Sequence, residues 1–175
     1  MADIGIPTTL APFYEGWGNF QRLLVETVRP LTDEQLMLRA SESLRPAWVL
    51  AAHIVGARGV WWHEGLGEPG PWDPVEDRWE RPGAPFRNAS ELVKGLEQSW
   101  RLIEGSLQRW TPGTLTDTFT RERYGQTRTF TRQWVIWHVL EHDLVHGGEL
   151  FLTLGMHGIS VPDLSSGACR HYAAS

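Results

Sequence analysis

Residues Pro46 to Gly65 carry apolar side chains around nearly the whole circumference of a helix: Trp48, Val49, Leu50, Ile54, Val55, Val60, Trp61 and Trp62. A helix that is apolar on every side is wrapped by other elements or lies at an interface. It does not read as a membrane span, because His53 and Arg58 break the run. The chain is therefore expected to build its domain around this segment.

Three more stretches have helical periodicity. Pro12 to Val28 places Phe13, Trp17, Phe20, Leu24 and Val28 on one face, with Pro12 in its first turn and Pro30 beyond its end. Ser90 to Trp110 has Leu92, Leu96, Ile103 and Leu107 as its inner stripe and Ser90 as its expected N-cap. Thr131 to Leu154 has Thr131 as its cap and Gly155 as its expected stop. Residues 66–89 read as a long loop rich in Gly, Pro and charge. Thr, Phe and Tyr recur through 114–130 around Tyr124-Gly125, which predicts a short β-hairpin before the last helix. The expected fold is all-α, an up-and-down four-helix bundle over residues 1–164, with a flexible tail over 165–175.

Several function classes are disfavoured by composition. Lys plus Arg is 16 against 21 Asp plus Glu, a net charge of −5, which lacks the footprint of a nucleic-acid binder. The local cluster Arg121, Arg123 and Arg128 reads as a solvated hairpin edge. Cys169 is the single cysteine, so neither an intrachain disulfide nor a cysteine zinc site is available. Met1-Ala2-Asp3-Ile4 does not open a signal peptide, and a cytoplasmic protein without membrane or nucleic-acid partners is expected. Ten tryptophans supply large aromatic surface for the core or for an interface.

The last helix carries His138, His142 and His146, one at every fourth position. Side chains at that spacing share a helix face, with Cβ atoms about 5–6 Å apart, and two such imidazoles can share one metal ion. Three cannot. His138 and His146 are separated by about 12 Å of helical rise and diverge by about 80° around the axis. The chelating pair is therefore His138/His142 or His142/His146, and His142 belongs to both. A third ligand would come from another helix, and His53 lies amid Val49, Leu50, Ile54 and Val55 on the second. Imidazoles packed into a core without partners cost about 1–3 kcal/mol each, a cost that a bound ion removes. His63, His157 and His171 lie near helix ends or in the tail and are expected to be solvated.

Three short motifs offer rival readings. His138-Val139-Leu140-Glu141-His142 matches the inverted zinc-protease pattern, with Glu141 as base. Gly65-Leu66-Gly67-Glu68-Pro69-Gly70 matches a dinucleotide fingerprint, but it follows a helix and carries an acid where phosphate would lie. Asn88-Ala89-Ser90 has the form of a glycosylation site and is better explained by helix capping.

Trp48-Val49-Leu50-Ala51-Ala52-His53-Ile54, His142-x3-His146-Gly147-Gly148-Glu149-Leu150 and Leu154-Gly155-Met156-His157-Gly158 together resemble the DinB-like (damage-inducible) superfamily of metal-binding four-helix bundles. The resemblance holds in order and spacing across nearly the whole chain up to about Leu164. It implies a three-histidine site of His53, His142 and His146, so that His138 becomes a neighbour of the site. Family members often have a larger polar residue near Gly148, where this chain departs from the pattern. Characterised relatives include bacillithiol and mycothiol S-transferases and a thiol-dependent maleylpyruvate isomerase.

The function expected from this reading is divalent-metal-dependent transfer of a low-molecular-weight thiol to an electrophilic substrate. Zinc is the first candidate and nickel the second. His138, Trp134, Trp137, Trp61 and Glu149 are expected around the ion or as pocket walls. Two alternatives are a non-catalytic metal-binding stress or interaction protein and a metal-dependent hydrolase. The apolar surround of the second and fourth helices suits a homodimer.

Overall fold

The computed structural model describes residues 7–70, 79, 83–123 and 125–162. Four long helices and a β-hairpin make up most of it, in agreement with the expected helical bundle. Helix α1 is Glu15–Val28, entered through a 3-10 turn at Ala11–Tyr14 that contains Pro12. A short helix, α2 (Asp33–Leu36), was not anticipated. Its sequence carries the signal nonetheless: Thr32 and Gln35 form a reciprocal capping box. Helix α3 is Ala47–Gly59 with Pro46 as its N-cap, and it continues as one π-helical turn over Val60–Gly65. Helix α4 is Ala89–Arg109 and helix α5 is Arg132–Met156.

Two expected helix ends shift. The N-cap of α4 is Asn88, not Ser90: the Asn88 carboxamide oxygen accepts from Glu91 N at 3.0 Å, and the Glu91 carboxylate accepts from Asn88 N at 3.0 Å. Helix α5 runs past Gly155, and the left-handed residue that ends it is Gly158, with φ of 73°. Thr131 caps α5 as expected, its hydroxyl accepting from Trp134 N.

Strands β1 (Thr118–Arg123) and β2 (Gln126–Thr131) pair antiparallel, as the recurrence of Thr and aromatic residues predicts. Helix α3 packs along both α5 and α4, and α1 also packs against α4 and α5. The link through α2 carries the chain from α1 to α3, and the hairpin carries it from α4 to α5. The expected tail at 165–175 and residues 71–78 and 80–82 of the expected loop at 66–89 lie outside the described residues. Among the described residues no helix is long and apolar enough to cross a membrane.

The interior divides into two apolar clusters. One includes Phe20, Leu24, Ile54, Val55, Leu92, Leu96, Leu150 and Leu154; the other includes Trp17, Trp62, Ile103, Leu107, Val135, Ile136 and Val139. Between them, each long helix contributes a buried polar side chain: Gln21, Arg58, Ser99 and Asp143. Arg58 Nη2 donates to Asp143 Oδ2 at 2.7 Å, Arg58 Nη1 to Gln21 Oε1 at 2.7 Å and to Ser99 Oγ at 3.3 Å, and Trp17 Nε1 to Asp143 Oδ2 at 2.7 Å. This polar layer ties all four long helices at one level of the bundle.

Candidate metal centre

Helix α3 supplies His53, and α5 supplies His142 and His146 one turn apart. The three are half-buried and each offers a ring nitrogen, the three nitrogens lying within 4.8 Å of one another. Ring centroids are 4.5 Å apart for His53–His142, 4.7 Å for His53–His146 and 4.4 Å for His142–His146. This arrangement could hold a metal ion.

The electrostatics suit such an ion. Burial, then the neighbouring imidazoles of His53, His146 and His138 and the Arg45 guanidinium, push His142 down to about 3. His142 is therefore neutral at physiological pH and keeps a lone pair for a ligand. Its Nδ1 is shielded from solvent and has no hydrogen-bond partner among the described residues, which is costly for a polar atom. His146 Nδ1 lies 2.7 Å from Glu149 Oε2. A carboxylate accepting from one ring nitrogen fixes the tautomer and turns the other nitrogen toward a metal. The donor set therefore fits a divalent cation, with neutral imidazoles suited to zinc, copper, iron or nickel.

Of the two pairs that spacing left open, the structure brings together His142 and His146. His138 is farther from His142, with ring centroids 6.1 Å apart. Its ring stacks on Trp134 at 4.8 Å and meets the edge of Trp61 at 4.9 Å, and burial lowers its pKa against the opposing pull of Glu141. Glu141 is exposed, so the inverted-protease motif does not assemble a site. His157 is exposed as expected, within 2.8 Å of the Arg39 carbonyl. His63 was expected to be solvated, but it is half-buried and lies 3.2 Å from the Glu68 carbonyl. His171 lies outside the described residues.

Two clefts adjoin the histidines. One, of about 310 Å3, is lined by His146 and Glu149 with Leu44, Arg45, Leu50 and Leu152. The other, of about 450 Å3, lies between the hairpin and α5 and includes Trp61, Phe130, Trp134 and His138 in its lining. The π-helical turn after α3 helps shape the second: it buries Trp62 completely while leaving Trp61 at the cleft. Trp137, also expected as a wall, is 60% exposed and does not line either cleft.

The Arg58–Asp143 pair and its partners Trp17 and Gln21 were not anticipated. The available signals were a lone arginine inside an otherwise apolar helix and an acid immediately after His142. Complete burial raises the Asp143 carboxyl, against the opposing pull of Arg58 and Trp17.

The sequence profile of the DinB superfamily matches residues 18–150. Among solved structures, a DinB-like protein from Bacillus cereus ATCC 10987 superposes with a TM-score of 0.71 at 20% identity, covering 90% of this chain and 99% of that one. A conserved protein from Enterococcus faecalis superposes with a TM-score of 0.55 at 15% identity, covering 86% of this chain and 99% of the other. At these identities the likeness speaks for the fold alone. No curated protein matches the chain.

Proposed function

The chain belongs to the DinB superfamily, and on that premise we propose that His53, His142 and His146 hold a divalent metal ion, zinc first and nickel second, for transfer of a low-molecular-weight thiol to an electrophile. The observation that carries this reading is the convergence of three imidazoles, one with a buried unpartnered nitrogen, beside a cleft lined by His146. Three neutral ligands leave an ion its full charge and an open position, as catalytic sites do and closed structural sites do not.

A cation held there would lower the pKa of a bound thiol so that the sulfur reacts as a thiolate. The thiol proton would pass to solvent, the sulfur electron pair would form the new C–S bond, and the displaced pair would leave with the leaving group of the electrophile. The residues of the chain supply the setting. Glu149 orients His146, and Leu44, Leu50 and Leu152 line the cleft on one side of the site. Trp61 and Trp134 form walls for the electrophile on the other side.

The zinc and nickel forms are assayed with glutathione, bacillithiol, mycothiol and coenzyme A against an alkyl halide, and products are read by mass spectrometry. Thiol conjugation well above the His142→Ala background is the expected result. Conjugation no faster than that background with every thiol overturns the reading. A non-catalytic metal protein is distinguished by the same preparations: it would keep its metal and gain stability from it with no turnover.

A further inference from the structure

The cleft between the hairpin and α5 has a chemistry that the metal site does not explain. Arg121 and Arg128, expected only as a solvated edge, both line it, and they stand directly opposite each other in the β1–β2 register. Like charges directly opposite on a hairpin destabilise it. Arg121 is half-relieved by Glu64, with which it pairs through Nη2, but its Nη1 is shielded from solvent without a partner. Among the described residues Arg128 Nη2 has only the neutral Gln126 Oε1, at 3.1 Å. Among the described residues no acid lines the cleft, although the chain carries a net charge of −5.

Aromatic rings make up the remaining walls. Phe130 and Trp134 stack at 4.7 Å, Trp61 meets Phe130 edge-on at 5.3 Å, and Trp61 and Trp134 are 5.3 Å apart. The volume, about 450 Å3, falls in the range of small-molecule sites. A bare inorganic anion would use the arginines and leave the rings idle, and a neutral aromatic would leave the arginine pair uncompensated.

We propose that this cleft binds a flat aromatic carboxylate, with its ring against Trp61, Phe130 and Trp134 and its carboxylate held by Arg128 beside the Arg121 charge. Guanidinium groups hold carboxylates through paired, charge-assisted hydrogen bonds. The far end of such a ligand meets His138, whose ring centroid is 6.1 Å from that of His142. The identification of this ligand with the electrophile rests on the proposed function; the binding does not require the ion.

The test is calorimetric titration of the metal-free full-length protein with 2-naphthoate and with the uncharged 2-naphthamide, which has the same rings. Naphthoate is expected to bind saturably and at least tenfold more tightly than naphthamide. Arg128→Gln, at an exposed strand position, is expected to weaken naphthoate tenfold or more and to leave naphthamide unchanged. Trp134→Ala, with folding checked by circular dichroism, is expected to weaken both. Equal binding of the two probes, unchanged naphthoate affinity in Arg128→Gln, or no saturable binding to the folded protein overturns the proposal. Because no metal is present, failure of the thiol-transfer reading leaves this result standing, and the converse also holds.

Discussion

Asp143 Oδ2 accepts a hydrogen bond from Arg58 Nη2 at 2.7 Å, and both side chains are fully shut off from solvent. Asp143 adjoins His142 on α5, and Arg58 lies little more than a turn beyond His53 on α3. The pair thus fixes the register of the two helices that carry the candidate ligands. Truncating one member leaves the other charge buried and alone, which costs about 3–5 kcal/mol. Asp143→Ala should therefore lower the unfolding free energy of the metal-free protein, read by urea denaturation, by that much. Arg58→Met combined with Asp143→Leu should recover much of the loss, because an apolar pair of similar volume abandons no charge.

Each of the three ligands should be individually required. His53→Ala, His142→Ala and His146→Ala should each lose bound zinc in elemental analysis after dialysis, while the wild-type chain retains about one ion. Glu149→Gln keeps the ligand set but weakens the partner of His146. Such a change typically costs about 10–100-fold in metal affinity. Competition with a chromophoric chelator reads that difference. Zinc at 100 times its dissociation constant should stabilise the wild type by about 2.7 kcal/mol.

Acid should destabilise the metal-free protein through His142. The folded state keeps this ring neutral down to about 3, whereas the unfolded chain protonates it near the ordinary value of 6.5. Between those limits the unfolded state binds the extra proton, so stability falls as pH falls. Thermal melts at pH 7 and pH 5 should show a larger drop for wild type than for His142→Asn, since the comparison cancels the titrating groups that do not interact with His142. Allowing for solvent screening, the excess is on the order of 1 kcal/mol, or about 2–4 °C in Tm.

The parts of this protein that were readable in the sequence are those governed by local periodicity. Apolar residues at helical spacing placed α1, α3, α4 and α5, and the recurrence of Thr and aromatic residues placed the hairpin. Spacing along one helix narrowed the ligands to two pairs, the resemblance to the DinB-like bundles implied His53, His142 and His146, and the structure brings those three together. The polar layer of Gln21, Arg58, Ser99 and Asp143 was hidden for the same reason: its members are dispersed over four helices, and no single helix reveals the partners. The opposition of Arg121 and Arg128 depends on hairpin register, which is set by the turn.

Two adjacent glycines on α5 should respond in opposite directions to the same substitution. A Cβ added at Gly147 would come within 2.5 Å of Phe20 Cζ and 3.2 Å of Leu24 Cδ2, in the seam where α1 meets α5. Phe20 is itself buried and packed edge-on against Phe151, so its ring has little room to yield. Gly147→Ala should cost about 1–3 kcal/mol, as overpacking does. At Gly148 no described residue lies within 4 Å of an added Cβ. There the methyl restricts the unfolded chain and meets no obstacle, so Gly148→Ala should stabilise by about 0.4–1 kcal/mol. Urea denaturation of both variants in the metal-free state tests the pair. Equal effects would mean that α1 and α5 do not approach at Gly147 as closely as the structure places them.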